Sequence, residues 1–201
     1  MSFSQVLVKG LKEFIGENMQ IITGKYRARK LVAPETDETR PTLARVKESI
    51  FSILPLSHDG FVTLDLFAGS GAYGLESLSR GAKMTYFVDN SRLAIRCINV
   101  NAKNIKEDYL VLEKDCFEAL KELDSRGVKF NLVFLDPPYK SDLGDKALAF
   151  IESHDMLAPG GIIVYEHLND KKLLPKLLKR YIIIKSKDYS DKTVDFISTK
   201  N

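Results

Sequence analysis

The tetrad Asp136-Pro137-Pro138-Tyr139 concentrates more chemical possibility than any other stretch of the chain. It follows an apolar run, Phe130 to Leu135, that reads as a buried strand. Two consecutive prolines fix φ twice and remove two backbone donors, so the strand must stop and its last carbonyls must point elsewhere. What remains is a rigid shelf holding a carboxylate, carbonyl acceptors and an aromatic face. Such a shelf suits a flat nitrogen base with an exocyclic amine. Asp136 and the Pro137 carbonyl can accept its two N–H bonds while Tyr139 stacks on the ring. A strand-ending turn capped by prolines is the bland alternative, and what precedes the tetrad decides between them.

A second constellation lies upstream, at Asp65-Leu66-Phe67-Ala68-Gly69-Ser70-Gly71. Glycines at a strand end let the backbone bend tightly and approach a ligand beside the N-terminus of the following helix. The string Gly69-x-Gly71-x-x-Gly74 matches the dinucleotide fingerprint, and Asp89 lies about 20 residues on, where a ribose-binding acid belongs. This feature alone fits either a nicotinamide cofactor or S-adenosylmethionine, since both offer a ribose diol. Three observations favour the second. Asp65 would repel a pyrophosphate but could pair with the ammonium of a methionyl group. Asp115, after the third strand, is placed to accept from an adenine amine. The Asp-Pro-Pro-Tyr shelf, for which hydride transfer has no use, falls at the carboxyl-end crevice where open α/β sheets bind ligands.

These groups must be positioned by an alternating βα framework. Strands are predicted at Val62–Leu66, Met84–Val88, Leu110–Leu112, Leu132–Leu135 and Gly161–Tyr165, with helices at roughly 72–80, 91–104, 116–124 and 143–154. Units of this length require crossover connections and hence a mostly parallel sheet covered on both faces. After a basic helix, Lys171 to Arg180, two strand-like runs (Tyr181–Lys185 and Thr193–Ile197) flank a polar loop, Ser186 to Lys192. That loop is too short for a helical crossover and predicts an antiparallel hairpin.

Upstream, residues 1–18 read as an extension with a weak amphipathic helix, Leu7, Leu11, Phe14 and Ile15 at helical spacing. Gln20 to Val32 reads as a hairpin turning at Gly24 and carrying Lys25, Arg27, Arg29 and Lys30. On a strand, Lys25, Arg27 and Arg29 would share one face, as a phosphate track requires; a charged edge strand that resists aggregation would look the same. A helix introduced at Thr39-Arg40-Pro41-Thr42 should run through Leu54 and stop at Pro55. The division expected is 1–18 extension, 19–58 basic hairpin and helix, and 59–201 catalytic domain. Lys171, Lys172, Lys176, Lys179 and Arg180 form a second basic cluster, as consistent with a solvated helix as with RNA contact.

Composition narrows the classes. At 201 residues the chain suits one domain with a small appendage, and 44% hydrophobic with 28% charged residues is ordinary for a folded core. The net charge of +3 is modest, so any nucleic-acid argument rests on where charge clusters. Cys97 and Cys116 lie far apart and His58, His154 and His167 form no ligand array, so neither a disulfide framework nor a metal site is expected. No apolar run approaches the roughly 20 residues of a membrane span, and no signal-peptide core opens the chain; a cytoplasmic, membrane-independent protein is expected.

The order glycine turn, acid, acid, Asp-Pro-Pro-Tyr resembles class I S-adenosylmethionine-dependent amino-methyltransferases. More closely, four segments look like the RsmD-type enzymes: Ile22-Thr23-Gly24-Lys25-Tyr26-Arg27-Ala28-Arg29-Lys30-Leu31, Arg40-Pro41-Thr42 with Arg45-Val46-Lys47-Glu48, the Asp65–Gly71 turn, and Phe134 to Tyr139. That family methylates the 2-amino group of one guanine in bacterial small-subunit (16S) ribosomal RNA. The likeness runs from Met19 to about Ile197, and the family usually begins near Met19, so an alternative start would account for residues 1–18.

The resemblance implies a Rossmann-like α/β fold: a mostly parallel seven-stranded sheet, an antiparallel C-terminal hairpin, and a small N-terminal β-hairpin and helix. It implies catalytic residues Asp136, Pro137, Pro138 and Tyr139. The implied S-adenosylmethionine site comprises Asp65, Phe67, Gly69, Ser70, Gly71, Asp89, Asn90, Asp115 and Cys116. RNA contacts are implied for Lys25, Arg27, Arg29, Lys30, Arg40, Thr42 and Arg45. The implied partner is 16S RNA, free or in the assembled small subunit, with a monomer as the default. Asp89 stands where Glu is common, and Tyr73 where a smaller turn residue is usual, which bears on cofactor fit. Competing readings are a DNA or RNA adenine or protein glutamine methyltransferase, an NAD-dependent oxidoreductase, and a non-catalytic RNA-binding module.

Overall fold

The computed structural model describes residues 19–33, 40–138, 141–169 and 178–200, with residues 40–43 as backbone only. The predicted extension at 1–18 and most of the basic helix at 171–180 lie outside the described residues. Leu178, Lys179 and Arg180, at that helix's expected end, are not helical.

Among the described residues the elements run α1 (Arg40–Ile53), β1 (Val62–Asp65), α2 (Ala72–Ser79), β2 (Met84–Asp89), α3 (Arg92–Asn101), β3 (Asp108–Glu113), α4 (Cys116–Ser125), β4 (Phe130–Leu135), α5 (Leu143–Ser153), β5 (Leu157–Leu168), β6 (Tyr181–Asp188) and β7 (Lys192–Thr199). The strands form one seven-stranded sheet in the order β3-β2-β1-β4-β5-β7-β6. β1 to β5 pair in parallel, while β7 runs antiparallel between β5 and β6. The chain reverses direction of travel across the sheet between β1 and β4, which makes that pair the topological switch point.

β4 lies at the centre because its run of apolar side chains can be buried on both faces. Leu132 and Phe134 pack on one side with Val46, Ile50, Phe51 and Leu54 of α1 and its end, together with Val164, Val194 and Phe196. Val133 and Leu135 face the other side, among Leu120 and Leu123 of α4 and Leu148 and Ile151 of α5. Alternation along the strand therefore places Asp136, next after Leu135, on the α1 side of the sheet. Burial of Ile50, Phe51 and Leu54, each 5 % exposed or less, fixes α1 there, at about 1.5–3 kcal/mol per side chain.

Three elements differ from expectation. The polar loop predicted at 186–192 shrinks to residues 189–191, because the cross-strand pairs Ser186↔Asp195 and Asp188↔Thr193 extend the ladder. β5 runs to Leu168 since β7 continues to pair with it through Lys192. The N-terminal hairpin is reduced to a single bridge, Gln20↔Lys30, with residues 23–28 in bends and turns. Gly24 and Ala28 both take positive φ (85° and 66°), which breaks the extended geometry. Lys25, Arg27 and Arg29 therefore do not share a strand face.

The turn is instead clipped to α2. The amides of Ile22 and Thr23 donate to the Glu76 carboxylate (2.7 and 2.9 Å), and the amide of Lys25 donates to the Ser79 carbonyl (2.8 Å). Gly24 is required there, since a Cβ would sit 1.9 Å from the Ser79 carbonyl oxygen. Glu76 is itself fully buried and meets Lys47 of α1 (3.0 Å) and Arg80 (3.2 Å). One carboxylate thus ties the N-terminal segment and α1 to the helix that follows the glycine turn. Burial pushes the Lys47 ammonium below its ordinary pKa, against the pull of Glu76.

Candidate active site

The sheet order brings the four acids singled out from sequence into one row. Asp115 follows β3, Asp89 ends β2, Asp65 ends β1 and Asp136 follows β4, and these strands are consecutive neighbours. At about 4.8 Å per strand the row spans about 14 Å along the carboxyl edge, the scale of a nucleoside extended by an amino-acid tail.

The glycine turn sits at the middle of this row. The Leu66 amide donates to the Phe134 carbonyl of β4 (3.1 Å) and the Ala68 amide to the Val88 carbonyl of β2 (3.0 Å). The chain therefore leaves β1 bonded to both neighbours, over the switch-point crevice. Gly69 and Gly71 take positive φ (52° and 76°), which L side chains rarely adopt. Gly74 serves packing: a Cβ there would lie 2.3 Å from the Phe87 ring, so only glycine lets α2 lie close on β2.

Each acid is held differently. Asp89 accepts from the Gly69 amide (2.8 Å) through Oδ2 and from the Ser91 amide (2.8 Å) through Oδ1, which locks its carboxylate against the turn. Asp115 is exposed and caps α4 by accepting from the Phe117 amide (2.8 Å). Asp65 is buried and accepts from the Gly74 amide (2.9 Å). Burial pushes its pKa up to about 7, Asp89 adds to the rise, and the Gly74 bond and Lys47 oppose it. A buried carboxyl in this condition is stabilised by any cation brought beside it. Asp65 also takes the amide that a pyrophosphate would need at the start of α2, which disfavours a dinucleotide there.

The remaining cofactor candidates surround this row. Phe67 is half-buried and Asn90 exposed, each next to one of the acids. Ser70 is buried; its hydroxyl donates to Met19 Sδ (3.3 Å) and its carbonyl accepts from Asn101 (2.9 Å). Burial first, then the charge of Asp115, pushes the Cys116 thiol up to about 11, so it packs as a small apolar group.

The shelf follows β4 as expected. Pro137 is buried and Pro138 exposed. Of the carbonyls expected to be available, that of Pro138 is occupied, accepting from the amide (3.1 Å) and hydroxyl (2.7 Å) of Ser141. The Pro137 carbonyl has no hydrogen bond among the described residues. Tyr139, the expected stacking partner, lies outside the described residues. Asp136 opens onto a shallow cleft lined also by Ile50, Tyr73, Phe134, Leu135, Val164 and Glu166.

Sequence alone gives Tyr73 only a bearing on cofactor fit and does not single out Glu166. The turn position of Tyr73 suggests a bearing on cofactor fit, but its ring stacks on Phe134 (4.9 Å between centroids) and lines the cleft beside Asp136. Glu166 is 3 % exposed and pairs with the equally buried Lys192 (2.7 Å). The available signal was an acid breaking the apolar run Ile162 to Leu168 one strand away from the shelf.

The basic residues are dispersed. Lys25 pairs with Glu107 (2.5 Å) and Arg29 donates to the Lys103 carbonyl, while Arg27 and Lys30 are exposed. Lys25 sits beside Ser79 at the far end of α2, about 12 Å of helix from the glycine turn. Arg45 is exposed on α1, a little over one turn before Ile50 of the cleft. Side chains of Arg40 and Thr42 lie outside the described residues. In the second cluster Arg180 pairs with Asp155 (2.8 Å). Among the described residues no group of His, Cys, Asp or Glu could hold a metal ion, and no helix is long and apolar enough to cross a membrane.

This arrangement has close counterparts. The family model described as Conserved hypothetical protein 95 matches residues 19–198. The "Putative rRNA methyltransferase YlbH" of Bacillus subtilis is 37% identical over 173 residues, 85% of this chain and 94% of that protein. The Ribosomal RNA small subunit methyltransferase D of Haemophilus influenzae is 34% identical over 160 residues, 78% of this chain and 82% of that protein. A solved structure from Escherichia coli, "Putative methyltransferase yhhF", superposes with a TM-score of 0.77 at 26% identity, covering 90% of this chain and 98% of that one. The chain therefore belongs to the Conserved hypothetical protein 95 family, that of the RsmD-type enzymes its motifs resemble.

Proposed function

We propose that the protein methylates the exocyclic 2-amino group of a guanosine in small-subunit (16S) ribosomal RNA, with S-adenosylmethionine as donor. The observation that carries this reading is the row Asp115, Asp89, Asp65, Asp136 along four adjacent strand ends, with the Asp-Pro-Pro shelf at one end beside a cleft. The coarser part, a ribosomal RNA methyltransferase using S-adenosylmethionine, follows from the family and from what its named relatives do.

The residues present fit that donor. Asp65, whose buried carboxyl favours a neighbouring cation, suits the amino-acid ammonium, and Asp89 suits the ribose diol. Asp115 suits the adenine amine, and the positive-φ glycines let the backbone pass close beneath. When bound, S-adenosylmethionine supplies a methyl group on a positively charged sulfur, already a strong electrophile.

The protein's task is then placement. The guanine amine is a weak nucleophile because its lone pair is delocalised into the ring. Asp136 and the Pro137 carbonyl accept its two N–H bonds, which favours a pyramidal nitrogen with its lone pair aimed across the crevice. Methyl transfer to this nitrogen would leave an acidic ammonium, which would lose one proton afterwards. No strong base is needed beforehand. Ile50, Phe134 and Val164 give the cleft apolar walls.

The test is transfer of labelled methyl groups to small ribosomal subunits from a strain lacking such an enzyme, with free 16S RNA and duplex DNA alongside. Label in a single N2-methylguanosine, absent with Asp136→Ala although that variant still binds S-adenosylhomocysteine, is the expected result. Label in DNA, in protein or at adenine would discard the guanosine reading.

A further inference from the structure

We propose that Tyr165 is a positioning residue for methyl transfer, holding the Pro137 carbonyl in place through a contact at Gly144. The inference deepens the guanosine reading above and rests on it, since that carbonyl is one of the two acceptors assigned to the amine.

The shelf belongs to the loop between β4 and α5, and Tyr165 touches both ends of that loop. At the first end it is the cross-strand neighbour of Leu135, the last residue of β4. At the second its hydroxyl donates to Asp145 Oδ1 (2.7 Å), in the first turn of α5. Burial first, then the bond to Asp145 and its charge, push the phenol above its ordinary pKa, so it stays a donor. The ring is fully buried and packs 5.1 Å from the His167 ring between centroids, which leaves it little room to turn.

Gly144, just before Asp145, is where this ring meets the shelf. A Cβ there would lie 2.6 Å from both Cε2 and Oη of Tyr165 and 2.7 Å from Cγ of Pro137. The phenol edge, the start of α5 and the proline ring therefore converge on one point that has no space for a methyl group. The φ of Gly144 is not positive, so glycine serves closeness here and not an unusual backbone conformation. Pro137 is buried in this contact, while Asp136 before it lines the cleft. The Pro138 carbonyl is tied separately, to Ser141.

A proline passes such a contact directly to the backbone. Its Cγ belongs to a ring closed on the backbone nitrogen, so a push on it shifts the adjoining peptide units instead of turning a free side chain. A misplacement of about 1 Å at a reacting group costs about a hundredfold in rate. The position of the Pro137 carbonyl relative to Asp136 is thus set by how closely Tyr165 and Gly144 pack against the ring.

The experiment measures kcat and KM for methyl transfer to 16S RNA and to small subunits, with S-adenosylhomocysteine affinity and Tm alongside. Gly144→Ala drives a methyl group into the contact and should lower kcat about a hundredfold. Tyr165→Phe adds no atoms and loses only the tie to Asp145, so kcat should fall about tenfold as the shelf loosens. Affinity for S-adenosylhomocysteine and KM for RNA should stay near wild type in both, because the glycine turn and the contacts to the RNA backbone are untouched. A merely structural Tyr165 would change Tm and leave the kcat of the folded protein where it was. The double variant Gly144→Ala/Tyr165→Leu makes room for the added methyl, and its kcat should recover to about the Tyr165→Phe value. Wild-type kcat in the folded single variants overturns the positioning role, as does a fall in kcat matched by an equal fall in S-adenosylhomocysteine affinity. Absence of recovery in the folded double variant overturns it too. If Gly144→Ala does not fold, Tyr165→Phe decides alone. Failure of wild type to methylate guanosine in the RNA or in subunits overturns both this role and the guanosine reading.

Discussion

The Asp65 carboxylate accepts the amide of Gly74 at 2.9 Å, so the start of α2 is occupied by an acid from within the chain. This pairing has a pH signature. Burial raises the Asp65 pKa from 3.8 to about 7, so between those values the folded protein binds a proton that the unfolded chain does not. Stability from this group therefore falls as pH rises through the window, and a ligand ammonium beside Asp65 opposes that loss. Affinity for S-adenosylhomocysteine should rise by up to about tenfold per pH unit below 7 and level off above it. Calorimetric titration of wild type and Asp65→Asn checks this. A slope that persists in the Asn variant would assign the proton elsewhere.

Glu76 should prove more important to stability than its place in a helix suggests. Glu76→Ala leaves Lys47 and Arg80 as buried cations without their carboxylate and the Ile22 and Thr23 amides without an acceptor. Losing one partner of such a buried set costs about 3–5 kcal/mol, a fall in Tm of about 10 °C for a chain of this size. Glu122→Ala, which breaks exposed pairs with Lys114 and Arg126, should cost less than about 1 kcal/mol. Thermal unfolding of the two variants side by side gives the comparison, and equal losses would refute it.

His167 provides a second pH dependence, of separate origin. Its Nε2 lies 3.0 Å from Asp195 Oδ2 and its Nδ1 3.0 Å from the Leu168 carbonyl, two acceptors that only a protonated ring can satisfy together. Burial works against that charge, but the Asp195 and Leu168 bonds and the charges of Asp195 and Asp145 outweigh it and raise the pKa. A histidine raised in the folded state adds stability that is complete below its unfolded pKa, near 6.5, and is lost as pH rises through the folded value. His167→Gln should remove that part of the pH dependence. Denaturant unfolding across pH 5 to about 9 is the measurement; an unchanged profile in the variant would exclude His167 as its source.

How much of this was legible in the sequence depended on whether burial leaves a local pattern. β4 could be read directly, because a strand buried on both faces is a continuous apolar run. The row of acids could be read because strand ends carry turn residues in fixed order. The partners of Glu76 could not, since Lys47, Arg80 and the amides of Ile22 and Thr23 come from distant segments, and a charge in a helix ordinarily faces water. One local sign existed: Glu76 is the only ionisable residue in α2 besides the Tyr73 phenol, in Ala72-Tyr73-Gly74-Leu75-Glu76-Ser77-Leu78-Ser79. The hairpin was misread because its basic, alternating pattern matches a strand, whereas tertiary bonds to Ser79 and Glu76 bend it into a turn. Glu166 was hidden for a related reason, since its place at the cleft depends on the register between β4 and β5.

The bend of that segment also redistributes the expected RNA contacts. Lys25 is matched by Glu107, and Arg29 is engaged with a carbonyl, so neither offers phosphate a fully available charge. Arg45 is exposed on α1, the helix that contributes Ile50 to the cleft, and we expect it rather than Lys25 to meet the RNA backbone. Removing one cation that neutralises a phosphate lowers the slope of log affinity against log salt by about one. Arg45→Gln should therefore reduce the slope by about one unit, and Lys25→Gln should leave it nearly unchanged. Binding of 16S RNA fragments over a salt series distinguishes the two. The reverse result would return the phosphate track to the hairpin turn, with the Lys25–Glu107 pair opening when RNA binds.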